Sequence, residues 1–199
     1  MKRISMGGSG VIDLKRLYEE KHAFGFFAYQ LSYPEKLSFH PSVLEESFDS
    51  SHPAYASVKT YWDEMYEHSL DDIREMYTYT FDFQKDSTLF MTYVKYEDAK
   101  ERGQMLAKLK VLYEMFGLNM PDNELSDFLP LMCEFIYAAE WLGDPRAQQG
   151  FSMLLAVMED GSYHLMKALE KYNNPYYHLI RGMRETFKFC ICQEELTND

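Results

Sequence analysis

The residues of this sequence with the clearest potential for chemistry are three carboxylates in the stretch ELSDFLPLMCEF at 124–135. Glu124, Asp127 and Glu134 bracket a run of large apolar side chains that contains Pro130. A carboxylate at Asp127 can accept the free backbone N–H groups at the start of a helix, which makes Asp127 an expected N-cap. Pro130 then falls at the third helical position. A backbone N–H at that position has no intrahelical partner, so proline costs the helix no hydrogen bond. The stretch therefore predicts a helix that starts at Asp127.

The helix start does not explain Glu134. Phe128, Leu131 and Phe135 are spaced to line one face of the helix, and Glu134 comes three residues after Leu131, at the border of that face. A carboxylate in this position either stays in solvent at the rim of an apolar surface or meets a basic group. Two basic partners are possible for Glu134: a group on a bound ligand, or Arg102 on the preceding helix.

The remaining reactive residue types do not form a recognisable set. A four-helix di-iron site needs two E-x-x-H motifs, and this sequence has one, formed by Glu19 and His22. The cysteines, Cys133, Cys190 and Cys192, lack a second Cys/His pair at the spacing of a zinc site. P-loop, H-E-x-x-H and G-x-S-x-G motifs are absent from the sequence. We expect no catalytic residues, no metal ligands and no cofactor bound by this chain.

The composition narrows the class of partner. The formal net charge is −12 at pH 7, which disfavours nucleic acid and favours a basic ligand or peptide. An odd number of cysteines fits a reducing cytoplasm better than a disulfide framework. No apolar run approaches the roughly 18 residues of a transmembrane helix, so direct membrane insertion is not expected. Thirteen methionines either fill gaps in a core or line an adaptable binding groove. The sequence leaves open whether the chain forms a homo-oligomer.

Apolar residues at three- and four-residue spacing predict helices through most of the chain. Ser69 and Asp72 form an expected capping box at a helix start. Gly117 and Gly143 are expected just beyond helix ends. The predicted helices span 11–33, 53–68, 69–79, 97–116, 127–142, 145–158, 162–172 and 175–193.

Two further segments need a separate interpretation. Asp144 followed by Pro145 predicts an N-cap and a first helical residue, and the helix that they start is expected to stop near Gly161. The segment TLFMTYVKY at 88–96 is rich in strand-forming residues. Because a lone strand would lack a partner in a helical chain, we predict a loop followed by a short helix there.

These elements predict an all-α, single-domain bundle of about eight helices. A chain of 199 residues is long enough to bury one sizeable core and too short to require a second domain. We assign the domain to 11–195 and a flexible lead-in, which includes the sequence GGSG, to 1–10.

Three blocks of the sequence together resemble a known family. TFDFQKDSTLFMTY (80–93), EDAKERGQMLAKLKVLYEMFGL (97–118) and ELSDFLPLMCEF (124–135) occur in this order with short gaps. They resemble the nitrate reductase delta-subunit family, within the wider group of redox enzyme maturation chaperones. The sequence departs from the family pattern at Ser126, where proline is usual, and at Glu97-Asp98, where Gly-Asp is common. The residues that match the pattern are Arg102, Gly103, Glu124, Leu125, Asp127, Leu129, Pro130, Leu131, Glu134 and Phe135.

The resemblance implies an all-α cytoplasmic assembly chaperone that is not an enzyme. Its implied partner is the catalytic (alpha) subunit of respiratory nitrate reductase, including an N-terminal segment that resembles a twin-arginine leader. Binding would last while the molybdenum cofactor is inserted into that subunit and until the subunit docks on its membrane partner. The client-peptide site that we predict comprises Tyr93, Arg102, Gly103, Asp127, Phe128, Leu131, Glu134 and Phe135.

The residues themselves are compatible with this function. A leader-like peptide has a basic start and an apolar body, and a groove with apolar anchors and an acidic rim would bind both parts. Two alternatives remain at the level of sequence: an all-α metal-dependent enzyme, and a helical adaptor unrelated to nitrate. Metal content separates the first alternative from a chaperone, and capture of the nitrate reductase peptide separates the second.

Overall fold

The computed structural model describes residues 12–96 and 98–191, and it confirms the all-α fold class. The predicted lead-in at 1–10 and the predicted domain's residues 11 and 192–195 lie outside the described residues. A π-helical turn at Tyr79–Phe83 and a short 3₁₀ turn at Lys85–Ser87 follow the fifth helix. The described part of the chain contains nine α-helices: α1 Leu14–Glu19, α2 Lys21–Gln30, α3 Pro41–Ser47, α4 Tyr55–Tyr66, α5 Leu70–Thr78, α6 Ala99–Met115, α7 Leu129–Ala138, α8 Ala147–Lys171 and α9 Tyr176–Phe189.

Several helix ends are set by the residues that the sequence indicates. Ser69 accepts the backbone N–H of Asp72, and the Asp72 carboxylate accepts the backbone N–H of Ser69, which confirms the capping box of α5. The Ser69 hydroxyl also donates to the Asp72 carboxylate, and this bond, together with the one from the Ser69 N–H, lowers the pKa of Asp72. Gly117 follows α6 with a φ of +85°, a conformation that glycine adopts without steric cost. The prediction for Gly143 was wrong: it has a φ of +82° but lies five residues beyond the end of α7, whose C-cap is Ala139.

The predicted helices differ from the observed ones in several places. Helix α8 begins at Ala147 with Arg146 at its N-cap, so the predicted start at Asp144 and Pro145 was wrong. The predicted helix at 11–33 is two helices, because the chain breaks at Glu20 between α1 and α2. Helix α3 was not predicted; it begins at Pro41, and the His40 ring nitrogen accepts the backbone N–H of Ser42. The two helices predicted on either side of Gly161 are a single helix, α8, of 25 residues.

Gly161 continues a helix because another backbone lies against it. A Cβ built at Gly161 would lie 2.6 Å from the Met91 carbonyl oxygen and 2.7 Å from the Met91 Cα. The glycine thus allows the 88–96 segment to approach the middle of α8. A glycine that ends a helix and one that admits a neighbouring backbone look the same in sequence.

The core is built where α7 packs on α2 and where α9 packs on α4 and α8. The Phe135 and Phe151 rings stack at a centroid distance of 5.5 Å, and Trp141 lies 4.3 Å from Phe151. The methionines favour the gap-filling interpretation, since six of the thirteen in the sequence are buried in the described core. These six are Met65, Met91, Met132, Met158, Met166 and Met183.

A buried ion pair connects α8 and α9. Arg184 donates from Nη2 to Glu159 Oε1 at 2.8 Å and from Nη1 to the Glu159 carbonyl at 2.6 Å and to Ser162 Oγ at 2.9 Å. Both charged side chains are almost entirely shielded from solvent. Each charge depends on the other, because an unpaired buried charge is strongly unfavourable.

We expect Arg184→Leu to lower the free energy of unfolding by about 3–5 kcal/mol, because it leaves the Glu159 carboxylate buried without its partner. The double variant Arg184→Leu/Glu159→Leu should recover much of that loss. Arg181→Leu is the matched control, since Arg181 pairs with Glu185 at 3.0 Å on the exposed face of the same helix and should cost about 0–1 kcal/mol. Urea unfolding of the four proteins tests this. Equal losses for Arg184→Leu and Arg181→Leu would contradict it.

Candidate functional site

The 88–96 segment pairs with the start of α7 through a single antiparallel bridge. Phe90 lies opposite Phe128; the Met91 N–H donates to the Asp127 carbonyl and the Leu129 N–H to the Leu89 carbonyl, both at 2.9 Å. Residues 91–95 then form turns. The predicted loop is confirmed, but the predicted short helix is wrong. The strand-forming residues find a partner after all, in the irregular chain that precedes α7.

Asp127 lies at the centre of this arrangement, fully buried. Its Oδ2 accepts the backbone N–H of Thr92 at 3.1 Å, the Thr92 hydroxyl, and Arg102 Nη2 at 3.4 Å. Arg102 Nε also donates to Thr92 Oγ1 at 3.0 Å. One carboxylate oxygen therefore ties the 88–96 segment and the first turn of α6 to the entrance of α7.

The predicted role of Asp127 as a helix cap was wrong. The N-cap position of α7 is Phe128, and no side chain caps the helix there. Pro130 is the second helical residue rather than the third. The carboxylate of Asp127 turns away from the helix N–H groups because it pairs with Thr92 and Arg102.

Ser126 extends the same network to α6. Its hydroxyl donates to the Leu106 carbonyl at 2.7 Å, and its own carbonyl accepts the Tyr113 hydroxyl at 2.6 Å. Burial raises the pKa of Tyr113, with the Asp127 charge as a further cause, so the hydroxyl stays protonated and donates. Ser126 stands where the family pattern has proline, and here the serine side chain supplies a contact that proline could not make.

The side chains above Asp127 form a small aromatic surface. The guanidinium of Arg102 lies 5.6 Å from the centre of the Tyr93 ring, which is 49% exposed. Phe128 is half-buried, with its ring 5.5 Å from Phe90. Gly103 follows Arg102 on the exposed side of α6, with open space where a side chain would be. We call Tyr93, Arg102, Gly103 and Phe128 the bridge surface.

The other three predicted site residues lie on α7 and differ in exposure. Leu131 and Phe135 are buried, and Phe135 packs against Tyr113 at 4.7 Å. Glu134 is exposed and makes no hydrogen bond or ion pair with any described residue. The suggested pairing of Glu134 with Arg102 is wrong, because Arg102 pairs with Asp127.

Sequence reasoning missed several residues that hold the 88–96 segment. The Thr92 hydroxyl donates to the Asp127 carboxylate and accepts a hydrogen bond from Arg102 Nε. Lys95 Nζ lies 3.5 Å from Asp160 Oδ2, next to Gly161 on α8. The one sequence signal for this contact was a glycine inside an otherwise regular helical pattern.

The described residues offer no group of three or more His, Cys, Asp or Glu side chains that could hold a metal ion. Cys133 and Cys190 are both buried and unpaired. Burial raises the pKa of Cys133, and it raises the pKa of Cys190 to about 12, so neither thiol is activated. Cys192 lies outside the described residues. Within 12–96 and 98–191, no helix combines the length and apolar character needed to cross a membrane.

Comparison with known proteins gives two kinds of relative. Over 113 residues the chain is 36% identical to the probable nitrate reductase molybdenum cofactor assembly chaperone NarJ of Bacillus subtilis (strain 168), an overlap that covers 57% of this chain and 58% of the relative. The name of this relative agrees with the resemblance drawn from the three sequence blocks. Over 110 residues it is 27% identical to the nitrate reductase-like protein NarX of Mycobacterium tuberculosis (strain ATCC 25618 / H37Rv), covering 55% of this chain and 16% of that protein. The overlap is thus less than two thirds of the length of either relative, and no protein-family model matches the chain.

Asp127 and Glu134 should differ sharply when their charges are removed. We expect Asp127→Asn to lower the free energy of unfolding by about 1–3 kcal/mol, because a neutral amide replaces a buried carboxylate that accepts several hydrogen bonds. Glu134→Gln should change it by less than about 0.5 kcal/mol, as expected for an unpaired surface residue. Denaturant unfolding of both variants measures the difference. An equal loss for Glu134→Gln would mean that Glu134 has a stabilising partner.

A second prediction uses two glycines that differ in their surroundings. Gly161→Ala should destabilise the protein by about 1–3 kcal/mol, because the added methyl meets the Met91 backbone. Gly103→Ala is the control: nothing lies within 4 Å of its Cβ position, so it should stabilise α6 by about 0.5–1 kcal/mol. Thermal unfolding compares them. A stabilising Gly161→Ala would show that the 88–96 segment can leave α8 without penalty.

Proposed function

We propose that this protein is an assembly chaperone for respiratory nitrate reductase. It binds the catalytic (alpha) subunit, including the N-terminal leader-like segment, while the molybdenum cofactor is inserted and before the subunit docks at the membrane. The protein acts in the cytoplasm, catalyses no reaction and carries no cofactor of its own. The observation that carries this proposal is the 36% identity over 113 residues to the probable NarJ chaperone of Bacillus subtilis.

The bridge surface supports a role in binding peptide. Tyr93 and Phe128 offer aromatic faces, and aromatic and arginine side chains are enriched at protein interfaces. Gly103 leaves the first turns of α6 open, so that a bound backbone can approach closely. Asp127 lies beneath this surface and fixes Arg102 and Thr92. We assign Asp127 to positioning rather than to contact with the client.

The α7 residues also differ in whether they can contact the client directly. Leu131 and Phe135 are buried and hold α7 against the core, so their contribution to client binding is indirect. Glu134 is exposed and unpaired among the described residues, which leaves its charge available to a basic client residue. The net charge of −12 attracts such a segment over longer distances.

The test is capture of the client by the full chain. The chaperone is co-expressed with the full catalytic subunit of the nitrate reductase from the same organism, and the affinity of a synthetic peptide of that subunit's N-terminal segment is measured by calorimetry. We expect co-purification, and a peptide affinity that weakens as salt is raised from low ionic strength to roughly 0.5 M, because salt screens the acidic surface. Failure of the subunit to co-purify, or one metal ion per chain retained after dialysis, would overturn the proposal.

Matched tyrosine variants test the bridge surface within this experiment. Tyr93→Ser should weaken peptide binding by roughly fivefold or more, the effect of an interface residue worth about 1 kcal/mol. Tyr172→Ser is the control, because Tyr172 is 45% exposed at the end of α8, away from the bridge surface. Equal affinities for the two variants would remove the bridge surface from the site and leave the chaperone function to be judged by co-purification.

A further inference from the structure

Helix α2 carries aromatic residues on both of its faces, and its outer face lines clefts at the protein surface. Ala23, Phe24 and Phe27 point into the core. On the outer side, His22, Gly25, Phe26, Tyr29 and Gln30 recur at the spacing of one helix face. This outer face is only partly covered. Phe26 and Gln30 are buried, whereas His22 and Tyr29 are exposed and line clefts at the surface.

Three neighbouring clefts follow this outer face. Their volumes are about 320, 450 and 400 Å³ from the start of α2 to its end. The first and second share His22 and Ser47 as lining residues. The second and third share Tyr29, Gln30, Lys36 and Ser38. Because adjacent clefts share wall residues along one helix, we treat them as one surface, which we call the α2 groove.

The first cleft gives the α2 groove an acidic end. Its lining includes Glu19, Glu20 and Asp49 together with His22 and His52, and no Lys or Arg among the described residues. Hydrogen bonds from Ser51 lower the pKa of Asp49, so this carboxylate is charged at neutral pH. Glu20 Oε2 lies 2.9 Å from His52 Nε2, while Glu19 is exposed and has only a long, solvent-exposed ion pair, 4.0 Å from Lys15 Nζ. A basic group is the ligand that this end attracts.

The second and third clefts are aromatic. The exposed rings of Tyr29 and Tyr33 form walls, and the buried rings of Tyr61 and Tyr176 lie at the floor of the third cleft. Tyrosine offers a large apolar ring with a polar tip, which suits amphipathic partners. Lys36 lies where these two clefts join. Glu35 lines the third cleft beside Lys36, so the first cleft, with three carboxylates and no Lys or Arg among its described lining residues, is the end that would orient a basic segment.

The α2 groove also reaches α7. A Cβ at Gly25 would lie 2.8 Å from the Tyr137 ring, so the glycine lets Tyr137 pack directly on the α2 backbone. Tyr137 lines the second cleft. Glu134 lies three residues earlier on the exposed side of α7, at a spacing that makes the two side chains neighbours. The exposed carboxylate of Glu134 is thus placed beside the α2 groove.

We propose that the α2 groove is a second contact site for the client, and that it binds a segment with basic residues at its start and apolar residues after them. This inference rests on the proposed chaperone function. The basic residues of the client segment lie against Glu19 and Asp49, and its apolar residues lie over Tyr29. The ten residues of α2 span about 15 Å, which matches roughly ten residues of a helical segment or four to five of an extended one.

The test compares charge variants with the same change in net charge. Glu19→Gln/Asp49→Asn removes two carboxylates from the acidic end, and Glu114→Gln/Asp122→Asn removes two exposed carboxylates that line none of the three clefts. The probe is the synthetic N-terminal peptide of the catalytic subunit, measured by calorimetry at low salt. We expect the first variant to weaken binding by roughly twofold to thirtyfold, as two exposed ion pairs would, and the second to bind like the wild type.

Tyrosine variants test the apolar part of the groove. Tyr29→Ser should weaken peptide binding roughly fivefold or more, whereas Tyr79→Ser, at a residue that is 62% exposed outside the groove, should not. Thermal melts check that both variants fold. If Tyr29→Ser lowers the melting temperature, a photo-crosslinking amino acid is placed at position 29 or at position 79 instead. We expect only position 29 to crosslink to the peptide, which would show contact with the groove.

The outcomes separate this inference from the function on which it rests. If the wild-type protein captures the catalytic subunit but both groove variants bind the peptide normally, the α2 groove is overturned and the chaperone function stands. If the wild type captures no catalytic subunit, the chaperone function itself is overturned. If Tyr29→Ser leaves peptide binding intact and converts a dimer to a monomer in light scattering, the groove binds a second copy of this chain, which also overturns the proposal.

Discussion

The buried carboxylate of Asp127 is the interaction on which the bridge surface depends. A charge that is removed from water must be paired and hydrogen-bonded, or its burial is strongly unfavourable. The Oδ2 atom meets this need with Thr92 and Arg102, which come from two different parts of the chain. Neither partner is close to Asp127 in sequence. Pairing this one carboxylate oxygen therefore fixes the relative positions of the 88–96 segment, α6 and α7.

Four consecutive residues of α8 serve two neighbours: Asp160 and Gly161 hold the 88–96 segment from its other side, and the residues on either side of them contact α9. Glu159 and Ser162 contact Arg184 of α9, Asp160 lies near Lys95, and Gly161 admits the Met91 backbone. Successive helical residues point about 100° apart, so a short stretch can serve several neighbours at once. The segment is thus positioned between two charged contacts without belonging to a sheet. This explains how an irregular chain can present Tyr93 in a defined place.

Local signals were the part of the fold that the sequence could predict. The capping box of Ser69 and Asp72 and the end of α6 at Gly117 follow from the conformations that these residues prefer, which depend little on the rest of the chain. Asp127 and Gly161 were misassigned for a shared reason. An aspartate before an apolar run is typical of a cap, and a glycine after one is typical of a stop. Tertiary contacts used both residues differently, and one sequence carries no record of those contacts.

The three carboxylates of 124–135 show why a motif does not by itself define a binding site. Glu124 accepts the N–H of the adjacent Leu125 at 3.2 Å, which is a local turn contact. Asp127 is buried and joins three segments, so it affects binding only by placing its neighbours. Glu134 is exposed on α7, three residues before Tyr137, which lines the α2 groove. A charge in that position costs little when it is solvated, and it attracts a basic group as soon as one arrives. The carboxylate with the fewest internal contacts is therefore the one best suited to recognise a partner.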